Sequence, residues 1–381
     1  MTTRRHVYLD HAAATPVDPR VVKAMLPLYT EQFYNPSALY LAAKQVKQTL
    51  AEARQSVARV LGVQPSEIIF TAGGTEANNI AIHGVMQQYP DGNVIVGALE
   101  HASVLETVKQ YDHRICPVLP TGSLDLEALA SLIDDKTVLV SVMHANNETG
   151  AIQPVQQIAQ IVETTRQART NQSDALPIWF HSDASQSVNY LRVQPKQLGL
   201  DLQTINGGKI YGPKQTGVLF VSSKLQLAPF LLGGGQERGL RSGTENVAGS
   251  VGLAKALEIT DKKRRSEVVR LADLQKHLVT NIQEQFPEAS INSHDALVNF
   301  VHVTFPGVDN ERLVMELDEQ GIQCAAGSAC SASSDEPSHV LKAMGLTDDQ
   351  AQSSVRFTMG RSTTEADIDY VLACLNDVLT A

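Results

Sequence analysis

Apolar positions along the chain switch period at intervals, and the switches mark out elements. Short β-rich runs recur at Ile68-Ile-Phe70, Val94-Ile-Val96, Thr137–Met143 and Ile178-Trp-Phe180. Helical spacing covers 75–88, 101–110, 125–133 and 154–168 between them. Short apolar runs bounded by turn residues predict buried strands, and 3.6-residue spacing predicts helices. Their alternation predicts an α/β fold with a mainly parallel sheet wrapped by helices. Thr216–Val221 closely follows the strand before Lys209 and is expected to pair antiparallel with a neighbour. A long helix is expected over about 244–284, with room for a kink or break. After Pro287 the rhythm changes to a strand at 298–305, a helix at 309–320, a strand at 354–359 and a closing helix at 364–379. That change predicts a smaller α+β domain, with the strand-like Val7-Tyr-Leu9 packing on it. The expected division is a large domain at 15–262 and a small one formed by 1–14 plus 263–381. A Ser/Ala-rich loop at 325–334 and a polar, exposed turn at 168–176 complete the pattern.

Composition narrows the function classes. The chain has 381 residues, 43% hydrophobic and 19% charged, enough for a deep core. A formal charge of −10 argues against nucleic acid or an anionic membrane as the main partner. The basic run Lys262–Arg265 is expected to be a solvated helix face. No apolar stretch approaches the roughly 20 residues needed to span a bilayer. The N-terminus lacks a signal-peptide core, so a cytoplasmic location is expected. Cys116, Cys324, Cys330 and Cys374 show no Cys-x-x-Cys spacing and no zinc pattern, which predicts free thiols and no metal. Cys116 and Cys374 sit among apolar neighbours as small core residues, and Cys324 is expected to be semi-buried.

Several segments carry chemistry. Phe70–Glu76 (Phe-Thr-Ala-Gly-Gly-Thr-Glu) follows a strand and opens a helix. Backbone N–H groups near Gly74 and the Thr75 hydroxyl suit a phosphate at the positive helix end. Thr75 as a plain helix cap explains the residue equally well. His101 follows the strand at 94–98, where it either stacks on a planar ligand and moves protons or simply starts a helix. Asn146-Asn147-Glu148 is either turn chemistry or a set of ligand contacts. Asp183 and Gln186 follow Ile178–Ser182; a carboxylate there suits a protonated pyridine nitrogen, or an ordinary cap. Lys209, in Asn206-Gly-Gly-Lys209-Ile-Tyr-Gly-Pro, has the setting of a Schiff-base lysine, a role that requires an amine able to shed its proton. Lys214 lies five residues on, and the residues alone do not choose between the two. Cys330 sits in Ala, Gly and Ser, outside any apolar period, as expected of a reactive thiol on a loop. A surface cysteine is its plain alternative.

In order along the chain, these segments resemble the cysteine desulfurases of the NifS/IscS type, on the class V aminotransferase fold. The resemblance is carried by Tyr8–Pro16, Asn35-Pro-Ser37, Gly73–Asn79, Glu100-His101, Asn146–Glu148, Asp183–Gln186, Lys209–Pro213, Gly233–Thr244, Gly327–Cys330 and Ser353–Phe357. The Gly-Ser-Ala-Cys segment resembles the long-loop group. The resemblance implies pyridoxal 5′-phosphate as cofactor on a fold type I, aspartate aminotransferase-like transferase. It implies Lys209, rather than Lys214, for the covalent link, Asp183 for the pyridine nitrogen, and His101 for stacking and proton exchange. Asn147 and Gln186 face the ring hydroxyl side; Gly74, Thr75 and Asn206 hold the phosphate, joined by Thr244 from the second subunit of a homodimer. Arg356 grips the substrate carboxylate, Asn35 contributes to substrate binding, and Cys330 accepts sulfur as a persulfide.

The activity so implied converts L-cysteine to L-alanine and passes sulfur to an acceptor protein, such as an iron–sulfur scaffold, or into tRNA thiolation. Selenocysteine lysis or transamination on the same fold, and a non-catalytic partner role, are the rival expectations. The chain departs from the family pattern at three places. The usual Ser-Gly-His-Lys is Asn206-Gly-Gly208-Lys209, His11 replaces an asparagine, and Tyr40 stands where a histidine is frequent. Loss of a phosphate-binding serine and histidine predicts weaker cofactor retention.

Overall fold

The computed structural model describes residues 5–170, 174–327 and 337–380. Strand β1 (Val7–Tyr8) opens the chain. Seven strands then form the central sheet: β2 (Ile68–Thr71), β3 (Asn93–Gly97), β4 (His113–Cys116), β5 (Thr137–Ser141), β6 (Trp179–Asp183), β7 (Leu202–Asn206) and β8 (Gly217–Val221). Their order is β2-β8-β7-β6-β5-β3-β4. Strand β8 runs antiparallel to both β2 and β7, and the other neighbours are parallel. The antiparallel expectation for 216–221 is met. β2, β3, β5 and β8 are buried along their whole length, as strands covered by helices on both faces should be.

Two strands are poorly marked in the sequence. β4 is an edge strand with only Cys116 buried, and β7 buries Gln203 and Thr204 in place of apolar side chains. The 21-residue helix Leu41–Leu61 also went unread. It buries Val46, Leu50, Ala53, Val57 and Leu61 at helical spacing and packs on the long C-terminal-half helix. Gly62 ends it in the left-handed conformation, with φ 67°, a position that suits glycine.

The expected long helix spans Val247–Gln285, 39 residues without a break. Its first third, through Ile259, packs into the core beneath the central sheet; Leu271, Leu278 and Ile282 belong to a second core. We propose that the division at 262/263 marks this passage from one core to the other. The second core is built on β9 (Ser290–Ile291), β10 (Phe300–Thr304), β11 (Ile322–Gln323) and β12 (Ser354–Thr358), with the helices Asn310–Glu319 and Glu365–Thr380. β12, β10 and β9 form an antiparallel sheet, and β1 pairs parallel with β11. The N-terminus therefore packs on the C-terminal part of the chain. Among the described residues, no helix is long and apolar enough to cross a membrane.

Candidate active site

The parallel strands present their carboxyl ends to one cavity, the usual ligand position in such sheets. His101 follows β3, Asn147 follows β5, Asp183 is the last residue of β6, and Asn206 is the last of β7. Lys209 closes the 3₁₀ turn Gly207–Lys209 just beyond. These residues, with Gly74, Thr75, Gln186 and Arg356, line a cavity of about 190 Å³. A wider, more open cavity of about 730 Å³ shares Ala13, Gly74, Thr75, Asn206 and Lys209 with it.

Lys209 Nζ donates to the carbonyl oxygens of Ala12 at 2.7 Å and Ala13 at 2.6 Å. Gln186 Nε2 donates to the same Ala12 carbonyl at 3.0 Å. The main chain around Lys209 is fixed by Asn189 Nδ2 donating to its carbonyl at 2.7 Å and by Thr15 Oγ1, which donates to the Gly208 carbonyl and accepts from the Tyr211 N–H. The lysine thus projects from a rigid turn, as precise placement of a reacting group requires.

Asp183 Oδ2 accepts from Asn78 Nδ2 at 2.8 Å, and Oδ1 accepts from the Ser185 N–H at 2.8 Å. Behind it, His181 is wholly buried between Ser141 Oγ and Thr204 Oγ1. Burial pulls the His181 imidazole down to about 4, against the opposing pull of Asp183, so it is neutral at pH 7. Burial also lowers the His101 value; Asp183 raises it, while Lys209 and His339 lower it. Neutral His101 retains a ring nitrogen able to take a proton. Its Nδ1 accepts from the Ser103 N–H at 3.1 Å, so it caps the helix Ala102–Val108 and lines the cavity at once. The helix-start reading is met, and the residue's place on the cavity leaves the ligand role open to it.

Glu100 is fully buried; Oε1 accepts from the Met143 N–H at 2.8 Å. Burial, opposed by that bond and reinforced by Asp183, drives its carboxyl well above the ordinary range. The helix Gly74–Met86 is capped by Gly73, with φ 137°, and not by Thr75, which lies in the exposed first turn. That corrects the plain-cap reading of Thr75. Asn146 Oδ1 accepts from the Glu148 and Thr149 N–H groups, which is turn chemistry, and this leaves Asn147 on the cavity. Arg356 is buried, with Nη1 on the Asn147 carbonyl at 2.7 Å and Nη2 on Asp10 Oδ1 at 2.6 Å.

Other expected residues lie elsewhere. Asn35 is exposed, its Oδ1 accepting from the Ser37 N–H at 2.9 Å, and it does not line the cavity. Thr244 lines a neighbouring cavity of about 250 Å³ with Thr71, Arg241 and Gly243. Cys330 and most of the loop 325–334 lie outside the described residues, as do 171–173 of the polar turn. Cys116, Cys324 and Cys374 are free, with Cys116 and Cys374 buried and Cys324 partly so. Asn78, Ser103, Ser185 and Glu100 were missed as site residues. The signal for Asn78 was an amide placed among Ala77, Ile80, Ala81 and Ile82 in a helical run, where burial leaves it in need of a polar partner.

The residues fit pyridoxal phosphate on internal grounds. A lysine and a carboxylate share one cavity, glycines open the helix start, and buried Ser185 Oγ and Arg356 Nε have no partner among the described residues. Comparison with known proteins bears on the same point. The family model for class-V aminotransferases matches residues 7–371.

The chain belongs to the class-V aminotransferase family.

It is 40% identical to cysteine desulfurase IscS 1 of Archaeoglobus fulgidus, over 98% of this chain and 96% of that protein. It is 36% identical to cysteine desulfurase IscS of Dictyoglomus turgidum, over 99% and 95%. A solved NifS-like protein superposes with a TM-score of 0.90 at 33% identity, over 99% of this chain and all of that one. This class-V chain has the fold type I architecture and uses pyridoxal phosphate.

Proposed function

We propose that this chain is a cysteine desulfurase, forming alanine from L-cysteine and passing the sulfur to an acceptor. The observation that carries the reading is the meeting of Lys209, Asp183, His101 and Arg356 in one cavity at the strand ends. Lys209 would carry the cofactor covalently, Asp183 would face its ring nitrogen, and Gly74, Thr75 and Asn206 would hold its phosphate. Bound there, pyridoxal phosphate supplies an electron sink that makes bonds at the substrate Cα and Cβ labile. Lys209 Nζ is the base that moves the Cα proton, and His101, neutral and stacked at the cavity wall, relays protons. Arg356 offers its remaining N–H groups, Nε among them, to the substrate carboxylate. Cys330 takes the sulfur: an Sγ–S bond forms as the substrate Cβ–S bond breaks, leaving a persulfide and, after protonation at Cβ, alanine.

The finer assignments belong to the same proposal. The protein is a homodimer in which Thr244 reaches the phosphate of the other subunit, and Asn35 contributes to substrate binding. The acceptor is a protein such as an iron–sulfur scaffold, in the cytoplasm. The decisive experiment incubates purified protein with cysteine and a reductant and quantifies sulfide and alanine in equal yield. Borohydride reduction and peptide mapping should place the adduct on Lys209, and Cys330→Ser should keep that adduct while losing sulfide release. A keto acid product, an adduct on another amine, or sulfide at the wild-type rate from Cys330→Ser each overturns it.

A further inference from the structure

The cofactor-binding turn lacks the serine and histidine that the family pattern places at 206 and 208, and the structure shows what stands near the gap. A Cβ built on Gly208 would meet Asn206 Oδ1 at 3.5 Å, Lys214 Cγ at 3.7 Å and Lys214 Cα at 3.9 Å. All are ordinary contacts, so the space for a side chain at 208 is open and bounded by the lysine stem. Lys214 is exposed and lines the wider cavity together with Gly73, Gly74, Thr75, Asn206 and Lys209. It forms no side-chain hydrogen bond or ion pair among the described residues. The acidic residue in that lining, Glu76, is held by Arg241 Nε at 2.8 Å, so Lys214 is not neutralised there.

A second observation concerns the helix start at Gly74 and Thr75, which this cavity shares with the narrower one. Beside Gly74, at the start of a 13-residue helix, a Cβ would meet Ser185 Oγ at 3.3 Å and Asn206 Nδ2 at 3.4 Å. Ser185 Oγ is buried and without a partner among the described residues. A buried hydroxyl left unpaired is costly unless a ligand satisfies it. Asn206 and the helix start at Gly74 and Thr75 line both cavities, with Ser185 on the narrower one and the uncommitted Lys214 on the wider one.

We infer that Lys214 supplies the positive charge for the cofactor phosphate that a histidine at 208 would otherwise supply, with Ser185 Oγ and Asn206 Nδ2 as its uncharged partners. Lysine serves as a point charge toward phosphate and does not need the planar fork of arginine. Removing the side chain at 208 opens the path between Lys214 and the helix start. The inference rests on the reading of this cavity as a pyridoxal phosphate site.

The test compares dissociation constants of pyridoxal phosphate and of phosphate-free pyridoxal for apo wild type, Lys214→Gln and Lys214→Arg. Lys214→Gln should weaken pyridoxal phosphate by at least about tenfold, the scale of a charge-assisted hydrogen bond, and leave pyridoxal unchanged. Lys214→Arg should keep the wild-type preference for the phosphorylated ligand. Equal loss for both ligands, no loss, or an arginine variant as weak as the glutamine one overturns the inference. Failure of the underlying reading shows in wild type alone, as no preference for pyridoxal phosphate and no borohydride-trapped adduct on Lys209.

Discussion

Arg356 and Asp10 form an ion pair within the second core, between the N-terminal segment and strand β12, Nη2 to Oδ1 at 2.6 Å. The pair ties the N-terminal segment, whose Ala12 and Ala13 carbonyls hold Lys209, to strand β12, which carries the arginine. One guanidinium thus serves two tasks: it fixes the lid of carbonyls over the lysine, and it points an unpartnered Nε into the site.

The two partners are unequally buried, with side-chain exposures of 2% for Arg356 and 20% for Asp10. Removing Asp10 strands a buried cation, whereas removing Arg356 leaves a carboxylate that water can reach. Asp10→Ala should therefore lower stability by about 3 kcal/mol, and Arg356→Met by less. Urea unfolding of both variants decides the order. Arg356→Met should in addition raise KM for cysteine while the cofactor stays bound. An Arg356→Met loss equal to or larger than that of Asp10→Ala contradicts the account.

Gly217 backs the turn proposed to hold the phosphate. A Cβ there would meet Thr71 Oγ1 at 2.6 Å and the Gly73 carbonyl carbon at 2.7 Å, and the second contact is backbone that cannot rotate away. Gly217→Ala must displace the turn that opens the helix Gly74–Met86. We expect a stability loss of about 1–3 kcal/mol, the usual range for overpacking, together with weaker pyridoxal phosphate binding. Normal cofactor affinity in a destabilised variant would separate the strand from the turn and disprove the link.

Cys324 is the described cysteine nearest in sequence to Cys330, and its environment disqualifies it as a spare nucleophile. Burial pushes its thiol up to about 12, with Asp10 adding to the effect and Arg356 opposing it. A thiol that holds its proton so firmly supplies almost no thiolate at neutral pH. Cys324→Ala should leave persulfide formation within about twofold of wild type, and mass spectrometry after cysteine treatment should find the extra sulfur on Cys330. Persulfide on Cys324 in a Cys330→Ser background would refute this.

Much of this fold was legible because its central strands are buried on both faces and read as continuous apolar runs. The strands that escaped were those in which polar groups replace that signal: in β7, Thr204 is buried with its Oγ1 bonded to His181, and Gln203 is buried by its place in the sheet. The site residues that were legible sit at strand ends in unusual company, such as Lys209 after two glycines. Asn78 reaches Asp183 from within a helix and Ser185 lines the cavity beside it, and only folding brings them together. Thr75 has no capping role because the helix begins one residue before it, at Gly74, with Gly73 as the cap.

An exposed apolar set on the N-terminal segment gives the proposed dimer a physical expectation. Phe33, Leu39 and Leu41 are 64%, 87% and 78% exposed, and Tyr29 and Tyr40 lie beside them in sequence. Such a concentration is costly in water and suits a partner surface. Light scattering should report a dimer, and Leu41→Glu should shift it toward monomer. Because Thr244 is proposed to act across that interface, the monomeric variant should also lose cofactor more readily. A Leu41→Glu protein that remains dimeric at low micromolar concentration argues that the interface lies elsewhere.

The pH dependence of stability follows from buried histidines. Burial lowers His144 and His181 to about 4 and His302 to about 3, and lowers His11, His83 and His101 as well. The unfolded chain protonates these groups near their ordinary value of about 6.5, while the folded chain keeps them neutral. Their contribution is therefore complete above about pH 6.5 and is lost as pH falls toward the folded values, at up to ~1.4 kcal/mol per pH unit for each. Glu100 and Asp201 work in the opposite sense, because burial raises both; their contribution is lost as pH rises above the ordinary carboxylate value. Six histidines outweigh two carboxyls between pH 5 and 6.5, so the urea midpoint should fall steadily from pH 7 to pH 5. His144→Asn, whose amide can still meet Ser187 Oγ, should make that fall shallower. A midpoint that rises on acidification over this range would show that the carboxyl terms dominate and that the imidazoles are hydrated in the folded protein.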